Sequence, residues 1–314
     1  MSDLPPLPNG SVVTVGTFDG VHLGHQAVIA EVVRRARARS RAAVLVTFEP
    51  HPMAVLKPGS APPRLTGPGE RTDLLAETGL DYAFVLRFDA ALAALEPEGF
   101  IRRVLVERCQ ARELVVGHDH GFGRGRAADA STLPALGERL GVAVDVVAPV
   151  AGAGGGPVSS SRIRAAVEAG DFATAAAGLG RPYRVSGRVT RGAQRGRTIG
   201  VPTINVAPPP GKLLPPDGVY AVRVEWGGGV ANAMLNQGPR PTVGDTHRWL
   251  EAHLFDFDGD LYGRVVRMEW VAWLRAVRKF DSLDQLRAQL DQDGQAARRI
   301  LSREARRNPN EATA

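Results

Sequence analysis

Residues 12–26 read VVTVGTFDGVHLGHQ. An apolar run enters a Gly-x-Phe-Asp-Gly turn, and two histidines three residues apart follow at once. VVTV has the continuous apolar character of a strand buried on both faces, as in a parallel sheet. Gly16 and Gly20 mark a tight turn. From about residue 22 to 38, Ala27, Val28, Ile29, Val32 and Val33 form one helical stripe. A strand, a glycine turn and a helix set the start of the helix at the carboxyl end of the strand. Open α/β sheets bind ligands there, and a helix N-terminus offers N–H groups to a phosphate.

The same alternation continues outward. AVLVTF (43–48), YAFVLRF (82–88), ELVVG (113–117) and VAVDVVAPV (142–150) read as strands, with helices over PEGFIRRVLVER (97–108) and near 131–140. Alternating β and α elements predict a doubly wound α/β domain. AGAGGGP (151–157) reads as a mobile loop, and SSSRIRAAVEAGDFATAAAGLG as two short helices. Beyond about residue 181 the pattern changes. YRVSGRV (183–189), TINV (203–206), VYAVRVEW (219–226), VANAML (230–235), LEAHLFDF (250–257) and VVRMEWVAWL (265–274) are short strands separated by Gly- and Pro-rich turns. Strands without intervening helices predict a small β-barrel or sandwich. An amphipathic helix over about 282–305 closes it, and RRNPNEATA reads as a solvated tail.

Composition narrows the function classes. With 314 residues, two domains are expected. One cysteine, Cys109, leaves no disulfide framework and fits a reducing cytosol. MSDLPPLPNG has neither a basic n-region nor an apolar h-region, so no secretory signal is expected, and no stretch has the length of a membrane span. A net charge of +6 suits nucleic acid or phosphorylated small molecules. RRARARSR (34–41) sits at a helix end, where the dipole favours cations.

His22 and His25 project from one face of the first helical turn. Two imidazoles aimed at a phosphate can donate to a phosphorus centre gaining negative charge, as phosphoryl and nucleotidyl transfer require. The bland alternative is a pair of capping or core histidines; a zinc pair is a third, short of further ligands at metal spacing. In VSSSRIR (158–164), serines at a helix start with Arg162 and Arg164 read equally well as an anion site or as ordinary capping. Thr203 and Asn205, two apart in GVPTIN, offer hard oxygen ligands, or else form a satisfied polar pair on a barrel rim. Glu251, on a strand, has the chemistry of a base for a primary hydroxyl, although a lone strand Glu is ordinarily a surface residue.

His-x-Gly-His is the signature of the nucleotidyltransferase superfamily, and GTFDGVHLGHQ resembles the N-terminal module of bacterial bifunctional riboflavin kinase/FAD synthetases. TFEPHP (47–52), RLT (64–66), VVGHDHGFGRGR (115–126), VSSSRIR, RGRTIGVPTINV (195–206), LPPDGVYAV (214–222), GPRPTVG (238–244), EAHLFDFDGDLYG (251–263) and KFDSLDQL (279–286) follow in that family's order. The resemblance covers about residues 10–300. It implies a Rossmann-like FMN adenylyltransferase domain at 1–181, an antiparallel β-barrel riboflavin kinase domain with a C-terminal helix at 182–305, and a tail at 306–314. It implies phosphorylation of riboflavin by ATP with Mg²⁺ to FMN, then adenylylation of FMN to FAD with release of pyrophosphate.

The resemblance also assigns residues. His22 and His25 are catalytic in adenylyl transfer. Gly16, Phe18, Asp19, Gly24, Ser160, Ser161 and Arg164 bind that ATP, and Asp119 contacts FMN or the nucleotide. In the kinase, Gly196, Arg197, Thr203 and Asn205 hold ATP, Thr203 and Asn205 the metal, and Glu251 is the base. The chain departs from the family pattern at His120-Gly121, Val201 and Ile204. Rival readings are a cytidylyltransferase-like enzyme, which leaves the second half unexplained, and a non-catalytic flavin- or RNA-binding protein. No basic stripe interleaved with aromatics supports RNA, and the expected partners are small molecules, with neither nucleic acid nor membrane.

Overall fold

Five strands, β1 (Ser11–Val15), β2 (Ala42–Glu49), β3 (Tyr82–Arg87), β4 (Ala111–Gly117) and β7 (Ala143–Val147), form one parallel sheet in the order β3-β2-β1-β4-β7. The computed structural model describes residues 4–119, 121–123, 128–152, 155–192, 196, 199–239 and 248–307. Every residue of β1 is buried, as its unbroken apolar run requires of a central parallel strand. The helices on this half are α1 (Leu23–Ala38), α2 (Pro52–Leu56), α3 (Pro68–Ala76), α4 (Ala90–Ala93), α5 (Pro97–Phe100), which runs on as a π-helix over Ile101–Arg108, and α6 (Leu133–Arg139). A two-stranded ribbon pairs β5 (Gly121–Phe122) with β6 (Ala128–Asp129).

Both faces of the sheet carry apolar cores. Val13, Val15, Val44, Val46, Phe84, Leu114 and Val116 pack with Phe100, Ile101, Val104 and Leu105 on one side. On the other, Val12, Ala43 and Val115 meet Val28, Val32 and Ala36 of α1. Full burial of a side chain such as Val32 or Ile29 is worth about 1.5–3 kcal/mol. The helix expected over 97–108 is present, but most of it is π-helical. Its buried residues are 100, 101, 104, 105 and 109, and i→i−5 bonding closes its end, Cys109 N donating to Val104 O (3.1 Å). The arginines at the end of α1 surround the buried Glu113, with Arg39 at 3.0 Å and Arg41 at 2.5 Å, so that part of the basic charge is paired internally.

Six antiparallel strands close into a barrel: β8 (Arg184–Thr190), β9 (Ile204–Val206), β10 (Gly218–Trp226), β11 (Gly229–Pro239), β12 (Arg248–Leu254) and β13 (Val265–Ala276). A barrel, with no sheet edge left open, resolves the sequence-level choice between barrel and sandwich. The long terminal helix α9 (Leu283–Arg307) lays Ala297 and Leu301 on Ala221, Met234 and Phe255. Arg275 clamps the buried Asp293 of α9 through Nε and Nη2.

By internal contacts the chain divides into Met1–Arg162 with Gly178–Gly180, and Ile163–Ala177 with Arg181–Ala314. Of the two short helices, α7 (Ser160–Glu168) therefore straddles the division, and most of α8 (Phe172–Leu179) groups with the barrel, where Phe172 meets Tyr220 edge-on at 5.9 Å. The loop expected to be mobile at 151–157 is pinched by a bridge between Ala151 and Pro157 and by Gly152 N to Gly156 O (2.9 Å); 153 and 154 lie outside the described residues. So do His120, Arg195, Arg197, most of GPRPTVG and the tail from 308.

Candidate active site

In the parallel sheet, successive strands run from β1 through β2 to β3 on one side and from β4 to β7 on the other. The order reverses between β1 and β4, the point at whose carboxyl ends open α/β sheets hold their ligands. His22 and His25 follow β1, and Asp119 follows β4. The turn between β1 and α1 is strained. Phe18 and Val21 take left-handed conformations (φ 48° and 40°), as does Gly20 (φ 88°), where a Cβ would stand 2.9 Å from Leu65 Cδ1. Such non-glycine residues cost on the order of 1–3 kcal/mol and persist only where their surroundings over-determine them.

Those surroundings come from distant parts of the chain. The Phe18 and Val21 side chains are buried with Ile29, Leu45, Leu74 and Leu75. The Asp19 carboxylate accepts from Leu65 N (3.0 Å), Thr66 N (3.0 Å) and Thr66 Oγ1 (3.2 Å), and Gly20 N donates to Thr66 Oγ1 (3.0 Å). Arg71 donates from Nη1 to Thr17 O (3.0 Å) and from Nη2 to Phe48 O (3.1 Å), and its Nη2 lies 3.3 Å from Glu49. Burial pulls this guanidinium below its ordinary pKa, with Glu49 acting the other way. The side chains of Phe18 and Asp19 thus face the protein interior. At these two positions the turn exposes backbone more than side chain. Thr66 lies in the RLT motif, but no local pattern marks it or Arg71 as a partner of this turn.

His22 is the N-cap of α1, its Nδ1 accepting from His25 N (3.3 Å), so the capping reading holds for its structural part. That bond uses the Nδ1 lone pair, and the neutral ring then carries its hydrogen on Nε2. The two imidazoles stack with centroids 3.6 Å apart and planes 17° from parallel. Gly24 makes room for this: a Cβ there would lie 3.2 Å from His22 Nδ1. Among the described residues no group of three or more His, Cys, Asp or Glu forms a metal cluster.

Gly16 lies under the Phe18 ring, 3.1 Å from a would-be Cβ. Ser160, at the start of α7, donates from Oγ to Asp19 O (3.0 Å), which joins the serine motif to the histidine turn. Ser161 is exposed and Arg164 half-buried on the same helix. Arg162, open to either an anion-site or a capping role, donates to Gly155 O (2.6 Å) and Pro157 O (3.3 Å) and closes the glycine loop. Asp119 is exposed on the turn after β4.

The second candidate site is on the barrel's outer face. Strand register sets Glu251 of β12 directly opposite Asn205 of β9 on one side and Asn236 of β11 on the other. Their neighbours Leu250, Ala252, Val206, Leu235 and Gln237 are buried inside the barrel, so all three lie on the sheet's other face in one row, with Asn236 exposed, Glu251 half-buried and Asn205 buried there. Directly opposed side chains are about 4.5–5.5 Å apart at Cβ. Asn236 is a site-row residue that sequence reasoning missed, because register is needed to see it. Thr203 precedes β9 and is half-buried. Gly192 is required beneath Asn205, since a Cβ there would overlap the amide, and Gly196 O accepts from Val201 N (2.8 Å) to close the turn before the motif. The Asn205 amide, seated over the Gly192 cradle, and the Thr203 hydroxyl two residues before it fit the hard-oxygen preference of Mg²⁺.

Comparison with known proteins agrees with both halves. A family model described as FAD synthetase matches residues 4–162, and one described as riboflavin kinase matches 179–301. The bifunctional riboflavin kinase/FMN adenylyltransferase of Escherichia coli (strain K12) is 40% identical over 297 residues, 93% of each chain. That of Pseudomonas fluorescens is 37% identical over 308 residues, 98% of each, and that of Bacillus subtilis (strain 168) 35% over 296 residues, 93% of each. A crystal structure described as a macrolide-efflux protein from Streptococcus pneumoniae superposes with a TM-score of 0.82 at 34% identity, covering 93% of this chain and 94% of that one. The efflux description stays with that protein; among the described residues here, no helix is long and apolar enough to cross a membrane. The chain belongs to the family of bifunctional riboflavin kinase/FMN adenylyltransferases, enzymes of flavin cofactor synthesis.

Proposed function

We propose that the two reactions of this family run on separate sites of the chain, with adenylyl transfer at 1–181, riboflavin phosphorylation at 182–305, and 306–314 as a tail. The supporting observation is that the His22–His25 pair and the Asn205–Glu251 row fall in different structural units, each complete with its own glycine turn. In the first site, a phosphate oxygen of FMN attacks the α-phosphorus of ATP as the bond to pyrophosphate breaks. His22 and His25 donate hydrogen bonds to the charge that grows on the transferring group. Backbone groups of the turn at Gly16, Phe18, Asp19 and Gly24 cradle the phosphates. Ser160, Ser161 and Arg164 complete the ATP site, and Asp119 contacts FMN or the nucleotide.

In the second site, Glu251 takes the proton of the riboflavin 5′-hydroxyl as its oxygen attacks the γ-phosphorus and ADP leaves. Thr203 and Asn205 would hold Mg²⁺, which when bound neutralises charge on the ATP phosphates. Gly196 and Arg197 are assigned to the same ATP on motif grounds, Arg197 lying outside the described residues. The single cysteine and the small-molecule substrates fit a cytoplasmic protein acting without nucleic acid or membrane.

The test is incubation of the purified protein with riboflavin, ATP and Mg²⁺, followed by chromatography. FMN should appear first and FAD after it, and a chelator of divalent cations should stop both. FMN without FAD would remove the role of the histidine site, and neither product would remove the whole reading.

A further inference from the structure

We propose that His253 is a positioning residue of the kinase site, holding the Pro202 carbonyl so that Thr203 stays fixed beside the strand that carries Glu251. The proposal rests on the reading of Thr203 and Glu251 given above. Pairing between β9 and β12 stops at Ile204 opposite Ala252. Thr203 comes next, level with His253, and two residues beyond Ile204 stands Pro202, which has no N–H to continue a ladder. His253, two residues beyond Glu251 and on the same face of β12, bridges the gap with its side chain: Nδ1 stands 2.7 Å from Pro202 O. A carbonyl only accepts, so the hydrogen is on Nδ1. Neutral and protonated imidazole both satisfy this bond, and the device is not a pH switch.

The ring is itself held. His253 meets Phe255 edge-on, with centroids 5.7 Å apart and planes at 77°. Phe255 is buried with Ala221, Met234, Ala297 and Leu301 beneath α9, and the Arg298 guanidinium lies 4.3 Å from its ring centroid. Val201 packs against the same cluster. The residue before Pro202 is thus fixed by packing and Pro202 by a hydrogen bond. Thr203 is the next residue, and its hydroxyl inherits the rigidity of both.

The test uses the full chain and two substitutions. His253→Phe keeps the aromatic contact with Phe255 and removes the donor. His253→Asn restores a donor at the same number of bonds from the backbone. For each, KM and kcat for FMN formation, ADP binding by calorimetry with and without Mg²⁺, thermal midpoint, and FAD formation from supplied FMN are measured. His253→Phe should raise KM for ATP and weaken Mg²⁺-dependent ADP binding by about tenfold, the scale of one lost hydrogen bond. The KM for riboflavin, the thermal midpoint and FAD formation should stay near wild type, and His253→Asn should recover most of the loss. Wild-type nucleotide affinity in His253→Phe, equal losses in both variants, or an equal loss with and without Mg²⁺ would each overturn the proposal. Thr203→Ala, measured alongside, separates the two levels. If it retains Mg²⁺-dependent ADP binding, the reading of Thr203 falls and the positioning role with it; if it loses that binding while His253→Phe does not, only the positioning role falls.

Discussion

Asp19 and Thr66, 47 residues apart in the chain, share a buried junction in which the Asp19 carboxylate accepts both the backbone N–H and the hydroxyl of Thr66. The same hydroxyl accepts from Gly20 N. The junction holds a turn in which two non-glycine residues are left-handed, and the turn in turn sets the start of α1 and the two histidines. Asp19→Asn puts an amide N–H₂ where a backbone N–H must donate. Hydrogen bonds to a charged group are worth about 1.5–3 kcal/mol, and the variant should lose about that much stability in chemical denaturation. FAD formation should fall with it, whereas FMN formation is expected to persist.

Arg71 reaches the same turn from α3 and bonds two carbonyls and a carboxylate at once. Lysine has one ammonium where arginine has a planar fork. Arg71→Lys should therefore lower kcat for FAD formation and loosen the turn, while Arg71→Met, which leaves Thr17 O and Phe48 O without this donor, should destabilise by about 2–5 kcal/mol. Denaturation curves of the two variants, read beside FAD formation, check this. Wild-type stability in Arg71→Met would show that the clamp does not hold the turn.

Burial pushes the Cys109 thiol up to about 12. Its folded value lies above the unfolded one, so the contribution to stability is complete below about pH 9 and is lost as pH rises toward 12. Native protein at pH 8 should resist thiol-specific reagents, and denaturant should expose one thiol per chain. Rapid labelling of the native protein would contradict the burial.

The stacked His22–His25 pair makes a kinetic prediction. Replacing either with Ala should lower kcat for FAD formation by on the order of 10²–10³, about 2.7–4 kcal/mol, with a smaller change in KM for ATP. His22→Ala should also reduce stability by about 0.5–2 kcal/mol, because His22 caps α1. Steady-state kinetics on both variants, with metal analysis of the parent, separates this from a zinc pair, which requires stoichiometric bound metal.

Much of this was legible in the sequence, because the strongest signals are local. VVTV followed by a glycine turn and a 3.6-residue apolar stripe specifies β1 and α1, and the short strands beyond 181 specify an all-β unit, though not the choice between barrel and sandwich. Helix α3 was not legible. Its start has Gly67 where a capping side chain would stand; Pro68 opens the helix and the Glu70 carboxylate accepts from Gly67 N at 2.8 Å. The partners of Asp19, the row of Asn236, Glu251 and Asn205, and the link from His253 to Pro202 all depend on tertiary placement, which no local pattern encodes. At Arg162 the local pattern leaves an anion site and ordinary capping equally open, and its guanidinium donates to two nearby carbonyls.

The central claim is that two chemistries occupy two sites, and a crossed assay tests it most directly. Glu251→Gln keeps the side-chain shape and removes the proton acceptor; His25→Ala removes a donor from the other site. Each variant is assayed for FMN formation from riboflavin and for FAD formation from supplied FMN. The account expects Glu251→Gln to lose about 10²–10⁴ in FMN formation and keep FAD formation near wild type, and His25→Ala to show the reverse. A variant that depresses both reactions equally while remaining folded, or a loss of less than about threefold in FMN formation by Glu251→Gln, would contradict it.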